Sequence, residues 1–267
     1  MEKRIKFRDM DLVYSDFGEG PCMVLIHGYL ENGKVWQPFI EGFPEGRRFI
    51  VPDLPGHGES GYWGKIHRME ELAEAVLAIL DAEGIGQVFL AGHSMGGYVT
   101  MAFADLFPDR LSAYALVHST PFADTKEKQE NRDREISLVL CGKKRQIVLV
   151  NIPKAFAAEN LDRMPGEVER LKQMALSCPD EGVIALLRGM KERPDRTAVL
   201  ENPDLPLLLV GGMKDNYIPA EVFEKLVSLA PHAKVLRLEK SGHLGFMEEP
   251  GQVIRAFMEM QKEYPET

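Results

Sequence analysis

The run Val88-Phe89-Leu90-Ala91-Gly92-His93-Ser94-Met95-Gly96-Gly97 decides the fold. Residues 88–91 are apolar and too few for a buried helix, so they read as a buried strand. Gly92, Ser94 and Gly96 then spell G-x-S-x-G, and residues 98–107 continue as a helical stretch, which is the context in which this motif presents a nucleophile. A serine on so tight a strand-to-helix turn sits in a strained backbone conformation with its hydroxyl pushed out above the sheet. The positions two before and two after it have no room for a Cβ, and both are glycine. A glycine-rich turn with an incidental serine is the plain alternative, and the flanking strand and helix argue against it.

Outward from this turn, short apolar runs alternate with longer periodic segments. Residues 22–26, 49–51, 88–91, 113–117 and 205–210 read as buried strands, each bounded by Gly, Pro, Asp or His. Residues 4–8 and 12–16 alternate more and suit an antiparallel edge. Met69, Leu72, Ala73, Val76, Leu77 and Leu80 share one helical face, Val222, Leu226 and Leu229 another, and Val253, Phe257 and Met260 a third. Strands separated by helices make an α/β protein with a mostly parallel sheet flanked by helices on both faces. Residues 121–202 break the rhythm, with helix-like stretches and no convincing strand. Residues 124–140 begin as a charged run that reads as a solvated helix face. Val168, Leu171, Met174 and Ala175 form one further amphipathic face, and Val183, Leu186, Leu187 and Met190 another.

Composition narrows the function. At 267 residues, 45% hydrophobic and 27% charged, the chain has the makings of a large core. Its 32 basic against 41 acidic side chains leave a net charge of −9, which disfavours a nucleic-acid partner. The three cysteines, Cys22, Cys141 and Cys178, are too scattered for a disulfide framework or a metal site and suit a reducing compartment. The basic start Met1-Glu2-Lys3-Arg4-Ile5-Lys6 has no apolar segment behind it, and no apolar run approaches the roughly 20 residues of a membrane span, so a cytoplasmic protein without a membrane partner is expected. No motif asks for a cofactor. His27, His57 and His93 lack the close paired spacing of metal ligands.

Four motifs in order carry a resemblance. His27-Gly28-Tyr29 follows the strand at 22–26, and Asp53-Leu54-Pro55-Gly56-His57-Gly58-Glu59-Ser60 follows the next one. Gly92-His93-Ser94-Met95-Gly96 comes third, and Gly212-Met213-Lys214-Asp215 with Ser241-Gly242-His243 closes the series. Together they resemble the α/β-hydrolase fold superfamily over nearly the whole chain. The resemblance implies an oxyanion-hole loop at His27-Gly28-Tyr29 and structural or pocket-lining roles for His27, His57 and His93. It also implies a core of residues 1–120 and 203–267 with a helical cap at 121–202.

A serine nucleophile needs a base and an acid that orients the base. Of the seven histidines, His243 is the candidate base, since it follows the strand at 234–238 and a Ser-Gly turn. His67 and His232 lie near helix boundaries and are expected at the surface. His118, ending a sheet strand, is a candidate to line the substrate pocket with the Tyr29 side chain, a satisfied core histidine being the open alternative. Asp215 projects beyond the strand at 207–210, on the side where open α/β sheets place their sites. Asp204 precedes that strand, and Asp124 is the alternative acid. The backbone N–H groups of Tyr29 and Met95 are the expected oxyanion hole. The expected reaction is cleavage of a carboxylic ester, or a related acyl bond, in a small or medium apolar substrate through an acyl-enzyme. A serine at position 94 argues against dehalogenase and epoxide hydrolase chemistry. Carbon–carbon bond hydrolysis, acyl transfer, perhydrolysis and a ligand receptor that keeps the triad stay open.

Overall fold

The structure, a computed structural model, describes residues 1–266. Two strands open the chain, β1 (Glu2–Phe7) and β2 (Met10–Phe17), followed by β3 (Cys22–Ile26), α1 (Gln37–Ile40), β4 (Arg48–Pro52), α2 (Met69–Ala82), β5 (Val88–His93), α3 (Met95–Leu106) and β6 (Leu111–Val117). Then come α4 (Lys126–Leu140), α5 (Lys144–Ala155), α6 (Pro165–Ser177), α7 (Asp180–Glu192) and α8 (Thr197–Leu200), all between β6 and β7 (Leu207–Gly212). The chain closes with α9 (Ala220–Leu229), β8 (Lys234–Leu238), α10 (Gly245–Glu248) and α11 (Pro250–Glu263). No helix among the described residues is long and apolar enough to cross a membrane.

The eight strands form one sheet in the order β1-β2-β4-β3-β5-β6-β7-β8. Only β2 runs against the rest, pairing antiparallel with β1 and β4. The alternating pattern at the start of the chain thus marks the antiparallel edge. The central strands β3, β5, β6 and β7 are buried along their whole length, as parallel strands covered on both faces must be. Successive residues of β5 point to opposite faces. On one face Gly92 meets α3; on the other Phe89 packs edge-on against Phe257 of α11, with ring centroids 5.1 Å apart.

Register brings the carboxyl ends of the strands level. Ile26 pairs with Gly92, His93 with Val117, and Val117 with Val210. The loops that leave these strands therefore emerge along one rim, carrying Tyr29, Ser94, His118 and Asp215. α3 lies so close to this rim that a Cβ on Gly96 would sit 2.5 Å from the Ile26 carbonyl oxygen and 2.6 Å from that of His27. The Asp53–Ser60 loop braces the same end. Asp53 accepts the Gly33 N–H (2.7 Å) and the Glu59 N–H (2.8 Å), while Ser60 Oγ donates to the Asp53 carbonyl (2.7 Å) and accepts the Val13 N–H (2.8 Å).

His67 corrects the sequence reading. It is buried, its ring tilted at 45° against Trp63 with centroids 4.5 Å apart and Nε2 at 2.9 Å from the Trp63 carbonyl oxygen. The turn ahead of α2 folds under α7, where the His67 N–H donates to the Ala185 carbonyl oxygen, a contact between distant segments that local pattern does not encode. His232 is half-buried.

Replacing Gly96 by alanine should cost about 1–3 kcal/mol or more, because the carbonyls it meets are backbone and cannot rotate away. Urea denaturation reads the loss; an unchanged midpoint would contradict the close approach of α3 to β3.

Candidate active site

Ser94 stands between β5 and α3 with φ 50° and ψ −113°, a left-handed conformation that costs a non-glycine residue. Its N–H donates to the Val117 carbonyl oxygen (2.9 Å), and its own carbonyl accepts the Gly97 N–H (2.9 Å) and Ser119 Oγ (2.7 Å). A Cβ on Gly92 would collide with the Gly96 carbonyl, and one on Gly97 with Ser119. The turn thus needs glycine on both sides of the serine.

Three expected side chains meet there. His243 Nε2 lies 2.8 Å from Ser94 Oγ, and His243 Nδ1 lies 2.7 Å from Asp215 Oδ2. The other Asp215 oxygen accepts the N–H groups of Tyr217 (2.7 Å) and Ile218 (3.0 Å). Burial works to raise the Asp215 carboxyl, but the His243 and His118 rings and their hydrogen bonds outweigh it and hold it well below the ordinary carboxylate range. The His243 loop is fixed by its own N–H donating to the Ala155 carbonyl at the end of α5 (2.7 Å) and by Glu248 accepting the Gly242 N–H (2.8 Å). Among the described residues the Tyr29 and Met95 N–H groups have no acceptor outside the helices and strands, and Met95 opens α3, where a helix has no internal acceptor for its amides. Asp124 pairs with Arg132 and Arg193 and has no contact with His243.

His118 departs from expectation. Its side chain is fully enclosed and does not line the cavity over Ser94. It lies behind Asp215, with Nδ1 3.3 Å from Oδ2, and its Nε2 accepts the Gly245 N–H at 3.0 Å. Burial lowers it to about 4 against the pull of Asp215, so the ring is neutral near pH 7. Backbone N–H groups approach both ring nitrogens, that of Gly245 at Nε2 and that of Gly212 at Nδ1 (3.2 Å), so the ring is pinned between the β7 loop and the His243 loop. The strand end that suggested a pocket position points this side chain inward, under the β7 and His243 loops.

A second buried pair went unread in the sequence. Glu31 Oε2 accepts the Gly28 N–H at 2.6 Å and lies 3.0 Å from His93 Nδ1, while His93 Nε2 donates to the His243 carbonyl oxygen at 2.9 Å. The loop bearing Tyr29, the turn bearing Ser94 and the loop bearing His243 are thereby joined by one chain of contacts. Burial disfavours charge on His93, yet Glu31 raises it above the ordinary histidine value; Glu31 in turn is held low by His93 despite burial. His118, Asp215 and His243 bring their ligand atoms within 4.8 Å of one another, close enough for a metal ion, but those atoms are already engaged in the hydrogen bonds above.

A cavity of about 1010 Å³ lies over Ser94 and His243. Tyr29, Tyr98 and Tyr217 wall it beside apolar Ile147, Ile152 and Leu171. The charged run in α4 does not simply face solvent. Lys128, Asn131, Arg132, Glu135 and Leu138, spaced to share one side of the helix, line the cavity.

The sequence profile of the α/β hydrolase fold matches residues 21–250. The chain belongs to the α/β hydrolase fold family. It is 31% identical over 240 residues to the pimeloyl-[acyl-carrier protein] methyl ester esterase of Vibrio atlanticus (strain LGP32), covering 87% of this chain and 91% of that one. It is 34% identical over 244 residues to the dihydrolipoyllysine-residue acetyltransferase component of the acetoin cleaving system of Pseudomonas putida, covering 88% of this α/β hydrolase but only 62% of that protein. Among solved structures, a thermophilic esterase from Thermogutta terrifontis, malate bound, superposes with a TM-score of 0.93 at 32% identity over 99% of both chains. The enol-lactonase from Burkholderia xenovorans LB400 shares the fold at 19% identity, with a TM-score of 0.89 over 97% of this chain and 100% of that one.

The Glu31–His93 pair gives the α/β hydrolase a pH-dependent stability. The raised His93 contributes fully below its ordinary value of 6.5 and loses that share as pH rises through its raised value. The lowered Glu31 contributes fully above 4.5 and loses its share as pH falls through its lowered value. Glu31→Gln should therefore lower stability by about 3–5 kcal/mol between these two ordinary values, with the gap narrowing as pH rises further. Melting temperatures across pH measure it, and a gap constant with pH would contradict an ionised pair.

Proposed function

We propose that this α/β hydrolase is a serine carboxylic ester hydrolase, with residues 121–202 acting as a cap over a core of residues 1–120 and 203–267. The observation that carries the reading is the continuous relay Ser94–His243–Asp215, at 2.8 and 2.7 Å, on the floor of the cavity. The relatives named as esterases support the same bond class.

In this reading His243 Nε2 takes the Ser94 hydroxyl proton as Oγ attacks the ester carbonyl. Asp215 stabilises the resulting imidazolium and holds the ring by Nδ1. The Tyr29 and Met95 N–H groups receive the oxyanion, each worth roughly 3 kcal/mol in the transition state. Collapse expels the alkoxide, which takes the proton from His243, and leaves an acyl group on Ser94. Water, deprotonated by the same ring, then releases the acid and restores the serine. His118 serves as a positioning residue for Asp215 rather than a substrate contact. Three unpaired thiols suit a reducing, cytoplasmic setting for this chemistry.

Hydrolysis of p-nitrophenyl butyrate tests the reading. Ser94→Ala and His243→Ala should abolish turnover on a folded protein, and Asp215→Asn should lower kcat by on the order of 10⁴-fold. Asp124→Asn should leave kcat within about threefold, since neutralising a residue that neither meets substrate nor bonds His243 removes no transition-state interaction. Full activity in Ser94→Ala would overturn the assignment.

A further inference from the structure

Arg132 lies in the wall of the cavity that holds Ser94 and His243, and only a fifth of its side chain is exposed. Its Nε donates to Asp124 Oδ2 at 3.0 Å. The same carboxylate is shared with Arg193, whose Nη1 lies 2.7 Å from Asp124 Oδ1 and whose guanidinium covers the Tyr98 ring at 3.8 Å. One buried carboxylate thus faces two guanidinium groups, and the two terminal nitrogens of Arg132 have no protein acceptor among the described residues. Glu135 also lies in the wall, with Oε1 accepting from Asn151 Nδ2 at 3.0 Å. Its carboxylate and the Tyr29 hydroxyl face each other there, both enclosed, and neither Oε2 nor that hydroxyl has a well-formed hydrogen bond among the described residues.

Polar groups removed from water are normally hydrogen-bonded, and a guanidinium with a free end offers the planar fork that a carboxylate fits. The surroundings favour an anion further. With Glu31 paired to His93, the lining carries four basic side chains (Lys128, Arg132, Arg134, Lys154) against two acidic ones (Glu127, Glu135), in a protein of net charge −9. A cationic cavity in an anionic protein raises the local concentration of negatively charged ligands.

We propose that Arg132 is a specificity-determining residue that receives a carboxylate of the substrate, so that the favoured substrates are monoesters of dicarboxylic acids rather than plain alkyl esters. The proposal rests on the ester hydrolase reading for its substrate class. Glu135, which faces the Tyr29 hydroxyl in the same wall, limits how strongly the site holds an anion. The small or medium apolar substrate expected from the sequence accounts for the Ile147, Ile152 and Leu171 wall and leaves the Arg132 wall without a use.

The test compares p-nitrophenyl valerate with the p-nitrophenyl monoester of glutarate, which have acyl chains of equal length. The wild-type protein should favour the glutarate ester in kcat/KM by on the order of tenfold or more, within the range of a charge-assisted hydrogen bond. Arg132→Met should erase that preference, with the loss falling on the glutarate ester, and circular dichroism and the melting temperature report whether the variant is folded. Arg132→Lys should keep part of the preference, and Glu135→Gln should increase it. Para-carboxyphenyl valerate, with its charge on the leaving group, should gain nothing. A wild-type preference for valerate, or a ratio unchanged in both Arg132→Met and Arg132→Lys, would overturn the proposal. Calorimetric binding of the glutarate monoester to Ser94→Ala separates the two readings: charge-selective binding that Arg132→Met removes, without turnover in the wild type, would sink the hydrolase reading and leave this one standing.

Discussion

Everything at the rim of the sheet depends on Ser94 being held at a positive φ. A side chain in that conformation is expelled from the line of β5, and it can be held there only if the chain on either side is thin enough to pass. Gly92 lets α3 fold back onto the strand, Gly96 lets the helix approach β3, and Gly97 leaves room for Ser119 to bond the Ser94 carbonyl. The same turn starts a helix whose first amide, that of Met95, has no internal acceptor. One backbone constraint therefore sets both the reach of the hydroxyl and the direction of an unpaired N–H beside it.

Two buried histidines flank this turn and meet opposite fates. His118 loses its charge to burial and packs as a neutral ring against Asp215, whereas His93 is shifted toward its charged form because Glu31 lies against it. The first arrangement steadies the acid behind His243. The second ties the Tyr29 loop to the backbone of His243 itself. The three loops that would meet a tetrahedral intermediate are thus locked to one another below the cavity, while its far wall comes from α4 and α5. Such a division leaves the chemistry fixed and the substrate preference to side chains such as Arg132.

Much of this was legible in the order of residues. The strand before Ser94, the turn glycines and the loops ending in Asp215 and His243 each carry a local signal, because tight turns and short apolar strands restrict composition within a few positions. The antiparallel edge was readable from alternation for the same reason. What escaped were properties of contacts between distant segments. Nothing near His118 tells whether its ring faces the cavity or the underside of the β7 loop, and nothing near His67 shows that α7 covers it. The charged run of α4 looks solvated because polarity marks an exposed face in most helices, and a polar cavity wall has the same spacing. The Glu31–His93 pair joins positions 62 residues apart, and each residue alone is unremarkable.

The proposed ester hydrolysis requires Ser94 to be an activated nucleophile. The most direct measurement is the intact mass of the protein after exposure to a fluorophosphonate probe, followed by peptide mapping, with His243→Ala treated in parallel. An activated Ser94 gives a single adduct on that residue that forms far more slowly in the variant. A well-folded protein that takes up no probe, or takes it up on another residue, would contradict it.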